Sequence, residues 1–416
     1  MLKQAELARD LVLIGGGHAH ALALRMLAMR PIAGLQITLV SPASHTPYSG
    51  MLPGLIAGHY RFEETHIDLA RLCQWAGARF IAAEVRGLDP RAHTLALHGR
   101  PPLVYDVLSL DIGSQPELDS VPGAREHAIP VKPVAELWQR WQALEHGLPE
   151  RAGPLRLALV GGGAGSVELA LAMARRLRGK ALQVTLFCGA EDILQGYNAL
   201  ARAAVRRTLA DAGVALHCGS RVVSVSADQL QLDDGRTAPF DSLFWCTGAA
   251  AAPWLAASGL ETVVGGFLAV RDTLQSVTED NVFAAGDMAT QLAHPRPKAG
   301  VYAVRQAPVL AANLRSYLLD LPLRHHRPQR RFLSLLSLGE RRATADRGPF
   351  TATGAWVWRW KDRIDRGFMA RFEDLPTTMP AAAQDSLPET RLAEPQAPCG
   401  GCGAKVGGDA LAAALA

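Results

Sequence analysis

The sequence predicts an α/β fold built on two parallel-sheet units, and three observations carry that expectation. A glycine-rich turn, Gly15-Gly16-Gly17-His18-Ala19-His20, follows the apolar run at residues 11–14 and opens an alanine- and leucine-rich segment. The pattern returns after residues 157–160 as Gly161-Gly162-Gly163-Ala164-Gly165-Ser166. A third apolar run, residues 282–285, ends on Gly286-Asp287. A buried parallel strand, a turn too tight for side chains and a helix N-terminus aimed at a pyrophosphate make a Rossmann-like dinucleotide-binding unit. Two such units imply two nucleotides held face to face, the arrangement needed to pass a hydride between them.

The elements follow in order. Residues 11–40 read as strand, glycine turn, helix over 19–29 and a second strand over 35–40, one βαβ unit of about 30 residues. Residues 41–60 are rich in glycine and proline and predict an irregular functional loop. Strands are expected at 79–82, 95–97 and 105–113, the last ending on Gly113. A helical pattern covers 134–148 and breaks between Pro149 and Pro154. The second unit continues through a helix over 166–177, a strand over 182–187, a helix over 199–212 and a strand near Val222. A hairpin turn at Asp233-Asp234-Gly235-Arg236 and a strand over 242–248 complete it. A helix is expected over 302–319, then a Trp- and Arg-rich stretch to Phe372 forming a C-terminal α+β cap. Five prolines among small and acidic residues over 376–398 read as a linker.

A chain of 416 residues accommodates two or three domains, and 49% hydrophobic with 20% charged residues is ordinary globular composition. The net charge of +4 is spread without a basic block over an aromatic surface, so no nucleic-acid partner is expected. A polar stretch over 3–10 leads straight into the first strand, so no signal peptide is expected. No uncharged apolar run reaches about 18 residues, so no membrane span is expected either. Cys73, Cys188, Cys218 and Cys246 lie scattered among apolar neighbours, which predicts reduced core thiols and a cytoplasmic location.

Neither turn is a full fingerprint. His20 and Ser166 stand where the third glycine is usual. The strands that follow end on Ser41 and on Phe187-Cys188-Gly189, without the acidic residue that holds a ribose hydroxyl, and Glu191 is the nearest carboxylate to the second. The choice between NADH and NADPH is therefore not set by these residues.

The segment Thr278 to Asp287 resembles the second FAD fingerprint of the pyridine nucleotide–disulfide oxidoreductase-like flavoproteins, in which the aspartate holds the ribityl chain. Asp111-Ile112-Gly113-Ser114 and Cys246-Thr247-Gly248 resemble two further motifs of that superfamily, in the right order. The resemblance implies two interleaved Rossmann-like dinucleotide-binding domains: FAD on residues 1–125 and 250–320, a connecting segment over 126–149, NAD(P)H on 150–249 and a cap over 321–375. Residues 41–60 hold no cysteine pair, so dithiol chemistry at the flavin is not expected. The pattern looks like the type II NADH dehydrogenase branch, which passes electrons from NAD(P)H through FAD to a quinone or other small-molecule acceptor.

The runs Thr46 to Gly54, Val131-Lys132-Pro133, Lys298 to Gln306 and Ile364 to Met369, together with Cys399-Gly400-Gly401-Cys402-Gly403-Ala404-Lys405, resemble the flavoprotein fused upstream of selenophosphate synthetase (selenide, water dikinase). That resemblance implies phosphoryl-transfer roles for Cys402 and Lys405, with 399–416 as the start of that domain, and a selenium species as acceptor. With 11 residues after Lys405, dikinase activity is not expected from this chain. On the residues alone, Cys399 and Cys402 also fit a redox pair or half a metal site; no second cluster has zinc spacing, and no metal is expected. Other functions left open are a non-catalytic redox-sensing flavin module regulating the attached synthetase, and a flavin oxidase that does not use NAD(P)H.

On the FAD side the expected contacts are Gly15, Gly16, Gly17, His18, Ala19, His20, Ser41, Pro47, Tyr48, Gly113, Ser114, Gly286, Asp287, Gly300, Val301 and Tyr302. On the nicotinamide side they are Gly161, Gly162, Gly163, Ala164, Gly165, Ser166, Glu168, Thr247 and Gly248. His18 and His20 either touch phosphate or pack the turn. Lys132 approaches flavin or nicotinamide, or forms a surface ion pair. Glu168 lies near the nicotinamide, or complements its helix dipole. Residues 356, 360, 364, 368 and 372 are apolar and predict one helical face, with Arg359, Arg363 and Arg366 on others. That face either packs on the flavin domain or a second copy of the chain, as in a homodimer, or rests on a membrane surface.

Overall fold

The computed structural model describes residues 9–148, 153–376 and 385–388. Most of the expected linker, and with it Cys399, Cys402 and Lys405, lies outside the described residues.

Five parallel strands form the first sheet in the order Val282–Ala284, Val107–Leu110, Arg9–Ile14, Leu35–Ser41, Arg79–Ala82. The edge strand Val282–Ala284 returns to this sheet after the whole second unit, so the two units interleave. Arg9–Ile14 is central and Leu11, Val12 and Leu13 are fully enclosed, the continuous apolar run a sheet covered on both faces requires. The helix His18–Ala28 lies against Gly300–Leu318, and its alanines at 19, 21 and 23 are fully buried.

The second sheet repeats the plan with Ile129–Pro130, Ser242–Trp245, Leu155–Val160, Leu182–Cys188 and Val214–Cys218, again all parallel. Its glycine turn leads into the helix Ala164–Arg176. The turn at 233–236 joins the antiparallel strands Gln229–Leu232 and Thr237–Pro239, as expected.

Two expectations need correction. Residues 41–60 are more ordered than their composition suggests: His45–Pro47 pairs antiparallel with His66–Asp68, and Leu52–Ile56 is a short helix. Proline is tolerated in a first helical turn, where Pro53 sits, and a side chain at Gly54 would run into the Tyr60 ring.

The second correction concerns the cap, a three-stranded antiparallel sheet (Ser334–Leu338, Glu340–Arg347, Phe350–Gly354) followed by the helix Ala355–Glu373. Its expected apolar face is split: Phe368 and Phe372 are buried, whereas Trp356, Trp360 and Ile364 are 51%, 38% and 45% exposed. Each i+4 step drifts about 40° around a helix, so five residues joined by four such steps cannot stay on one face. The buried row is Val357, Lys361, Asp365, Phe368, Met369 and Phe372, and it contains a charged pair. Phe368, Met369 and Phe372 join the core of the first unit, each contributing about 1.5–3 kcal/mol by burial. No helix among the described residues is long and apolar enough to cross a membrane.

Candidate active site

Asp111 is the joint of the first turn. It follows the strand Val107–Leu110 and its carboxylate accepts hydrogen bonds from the backbone N–H of Ala19 at 2.8 Å and His20 at 3.1 Å. Those are donors the helix cannot satisfy itself, at its positive end. A side chain at Gly17 or at Gly286 would collide with the same carboxyl group, so both glycine motifs close on one residue. Gly15 adopts φ +89° against the Asp111 carbonyl, a conformation and a spacing that only glycine meets. Burial pushes the Asp111 carboxyl up to about 7, against the pull of the two N–H groups.

His20 occupies the third-glycine position by turning its ring inward. Its nitrogens lie 2.8 Å from the Gly15 carbonyl and 2.8 Å from Ser109 Oγ, and burial lowers its pKa to about 4, so the ring is neutral. The Ser41 hydroxyl donates to the Ala43 carbonyl at 3.0 Å. The polar groups of both residues are thus engaged within the protein.

His18 differs. Its ring meets Tyr48 and Phe368 edge-on, at 5.4 and 5.9 Å between centroids, and Tyr48 stacks on Phe368 at 4.5 Å. One nitrogen bonds to the Pro47 backbone, while the buried Nε2 has no partner among the described residues. A buried polar atom left unpaired costs about 1–3 kcal/mol, so this atom marks where a ligand acceptor or donor fits. Gly300, the first residue of its helix, faces His18 and Ser49. Val301 and Tyr302 follow in the same turn, Tyr302 buried edge-on to Phe332 at 5.7 Å.

Asp287 receives Lys132 Nζ at 2.9 Å and Ser114 Oγ at 3.4 Å. Lys132 follows the edge strand of the second sheet, so this ion pair ties the two units together. The Gly286 N–H donates to Gln306 Oε1 at 2.8 Å, and Gly113 lies in the loop that carries Ser114.

In the second turn the Gly161 N–H donates to the Phe187 carbonyl at 2.8 Å and Gly162 abuts Cys188. The space in front of Gly163 and Gly165 is open, and Ser166 Oγ donates to the Gly163 carbonyl at 2.8 Å. Ala164 starts the helix. Thr247 and Gly248 lean on Glu117, whose N–H donates to the Thr247 carbonyl at 3.3 Å.

Glu168 points from this second helix into the cap, where it accepts the Ser337 N–H at 2.6 Å. Burial pushes it up to about 7, with Lys361 pulling the other way. Lys361 Nζ donates to the Gly50 carbonyl and to Asp365, each at 2.5 Å, and Asp365 also accepts the Tyr48 hydroxyl. Burial holds Asp365 above the usual carboxylate range despite Lys361. Two carboxyl groups, an ammonium and a phenol therefore lie near one another where the helix of the second turn, the segment around Tyr48 and the cap meet. Sequence reasoning singled out Glu168 and Tyr48 but missed Lys361 and Asp365. Their signal was an i, i+4 opposite-charge pair inside an aromatic helix.

The residues fit two dinucleotides: a cradle that side chains would fill, an unpaired buried nitrogen beside it, and a second turn with open space in front. Comparison with known proteins agrees. The family profile of the pyridine nucleotide-disulphide oxidoreductases matches residues 9–307. The chain is 24% identical over 279 residues to the demethylphylloquinone reductase NdbB of Synechocystis, covering 65% of this chain and 69% of that protein. It is 27% identical over 237 residues to the alternative NAD(P)H-ubiquinone oxidoreductase C1 of Arabidopsis thaliana, covering 53% of this chain and about half (46%) of that relative's length. The fold matches NDH2 of Plasmodium falciparum, solved with NADH, with a TM-score of 0.72 at 13% identity over 88% of this chain and 99% of that one. The chain belongs to the pyridine nucleotide-disulphide oxidoreductase family.

Proposed function

We propose that this protein is a FAD-dependent NAD(P)H oxidoreductase that delivers electrons to a small-molecule acceptor of the quinone class. The observation that supports the reading is a chain of contacts running from the first glycine turn to the helix of the second: His18 against Tyr48, Tyr48 on Asp365, Asp365 on Lys361, and Lys361 near Glu168. The quinone reductases among the relatives support the acceptor class. Bound FAD supplies a two-electron carrier between the nicotinamide and the acceptor.

The chain's own residues do the rest. Gly15 to Ala19 and the helix behind them hold the flavin pyrophosphate, His18 Nε2 turns toward it, and Asp287, steadied by Lys132 and Ser114, takes the ribityl hydroxyls. Gly161 to Ser166 hold the nicotinamide nucleotide, with Thr247 and Gly248 beside it. FAD then belongs to 1–125 with 250–320, and the nicotinamide to 150–249. The cap excludes water, and Glu168 keeps a proton at its carboxyl near neutral pH, beside Lys361. Proximity and orientation account for the hydride step without a side-chain nucleophile.

A selenium species as acceptor is the second reading, resting on the motif from Cys399 to Lys405. One experiment decides among these. Anaerobic mixing with NADH or NADPH is expected to bleach the protein's yellow flavin rapidly, and quinone is expected to restore the colour. Flavin that neither nucleotide bleaches would overturn the reductase reading. Reoxidation by oxidised selenium compounds but not by quinone would replace the quinone reading with the selenium one.

The acceptor class also bears on Trp356, Trp360 and Ile364, which form an exposed apolar strip, with Trp356 and Trp360 stacked at 6.5 Å. We assign this strip to a membrane surface, with Arg359 and Arg363 beside it. Replacing both tryptophans by serine is expected to reduce cosedimentation with anionic lipid vesicles by about tenfold or more. Unchanged sedimentation would remove the membrane from the proposal.

A further inference from the structure

The carboxyl ends of the second sheet carry sulfur that the proposed reaction does not use. Cys188 ends the strand Leu182–Cys188, Cys218 ends the neighbouring Val214–Cys218, and the two are direct partners in the parallel register. Registered residues on neighbouring strands stand about 4.8 Å apart with side chains on one face. A disulfide spans Cα separations of about 4.4–6.8 Å. The two side chains already meet through a hydrogen bond.

Their surroundings differ. Cys188 is buried, with its sulfur against Gly162 of the second turn and 3.6 Å from the Asp192 carbonyl. Cys218 is half-buried, and Arg206 Nη1 lies 3.6 Å from its sulfur. The half-buried partner thus has beside it a cation that also pairs with Asp192, and the enclosed one touches the nucleotide turn. Cys73 and Cys246 make no such pair among the described residues, and burial pushes both thiols up to about 12.

We infer that Cys188 and Cys218 form a reversible oxidation site under the second glycine turn, closed to a disulfide by hydroperoxides, and that closure weakens binding of the nicotinamide nucleotide. The hydroperoxide O–O bond breaks as its distal oxygen passes to the Cys218 sulfur, giving a sulfenic acid and the alcohol. Cys188 then attacks that sulfur; the S–S bond forms, the S–O bond breaks and the oxygen leaves as water with both remaining protons. Two thiols lose two electrons and the hydroperoxide gains them. Closure draws the Cys188 sulfur away from Gly162 toward Cys218, which removes packing from beneath the turn. The effect on binding rests on the assignment of this turn to the nicotinamide nucleotide.

The test uses the full chain carrying Cys399→Ser and Cys402→Ser, so that no other close pair confuses the mapping. Limiting hydrogen peroxide is expected to yield a 188–218 linked peptide as the main oxidised product, reversed by dithiothreitol. The linked protein is expected to bind NADH or NADPH about tenfold more weakly by calorimetry. Cys218→Ser, at a half-exposed position, is expected to abolish both effects while the protein stays folded. Overoxidation or linkage elsewhere in place of 188–218 would overturn the site, and equal affinity in linked and reduced protein would overturn its effect. Failure of the reduced protein to bind either nucleotide would overturn the cofactor assignment and the binding effect with it, whereas the peptide map judges the thiol pair by itself.

Discussion

Lys361→Met is expected to destabilise the protein by about 3–5 kcal/mol, because it strips one partner from a buried ion pair. The Lys361 and Asp365 side chains are only 9% and 6% exposed. The substitution leaves the Asp365 carboxylate, the Gly50 carbonyl and the nearby Glu168 without their cation. Asp365 already lies above its ordinary range, and losing Lys361 raises it further. A carboxyl group whose folded pKa exceeds its unfolded one favours folding below the unfolded value, and that benefit is lost as pH rises through the folded one. The deficit of the variant should therefore grow as pH rises above the ordinary aspartate range, read by urea unfolding at acid and at alkaline pH. Lys361→Met combined with Asp365→Leu should recover much of the loss, since a well-packed apolar pair can replace a buried ion pair. A flat pH dependence for the single variant would refute this account.

That pair also shows what was legible in the sequence. The glycine turns and the strands before them could be read because local chemistry forces them, whereas the interleaving came only through the resemblance of the ordered motifs to a known family. A parallel strand buried on both faces is apolar throughout, and a turn against Asp111 admits no side chain. Lys361 and Asp365 could not be placed because their meaning depends on Gly50 and Tyr48, more than 300 residues away in the chain. Helical periodicity alone assigned Trp356 and Phe368 to one face, yet only packing decides which part of a drifting row goes inward. His20 was equally ambiguous. A histidine on a glycine turn suggests phosphate, and only the positions of Gly15 and Ser109 reveal a ring engaged inside the protein. The absent ribose acid was visible at Cys188; that the sulfur there faces Cys218 follows from strand order, which sequence does not fix.

Glu168→Gln is expected to slow acceptor reduction by about 10²–10⁴-fold, the usual worth of a positioned proton donor, while bleaching of the flavin by NAD(P)H changes little. Glutamine keeps an oxygen for the Ser337 N–H, so the cap stays docked and the loss reports on the proton. The wild-type rate should fall as pH rises through about 7, where Glu168 gives up its proton, and the variant should show no such step. Stability supplies an independent reading with a definite sign. Because the folded pKa of Glu168 is raised from 4.5 to about 7, its contribution to folding is present below the unfolded value and is lost by pH 8. That loss is about 3 kcal/mol. Glutamine does not titrate, so the variant should lose less stability than wild type between pH 5 and pH 8, although it is the poorer enzyme. A merely structural Glu168 would predict equal slowing of both half-reactions. Stopped-flow traces of the two half-reactions, taken across that pH range beside urea unfolding, separate the cases: slowing confined to the acceptor step, with a flattened stability profile, identifies the Glu168 carboxyl as the proton source.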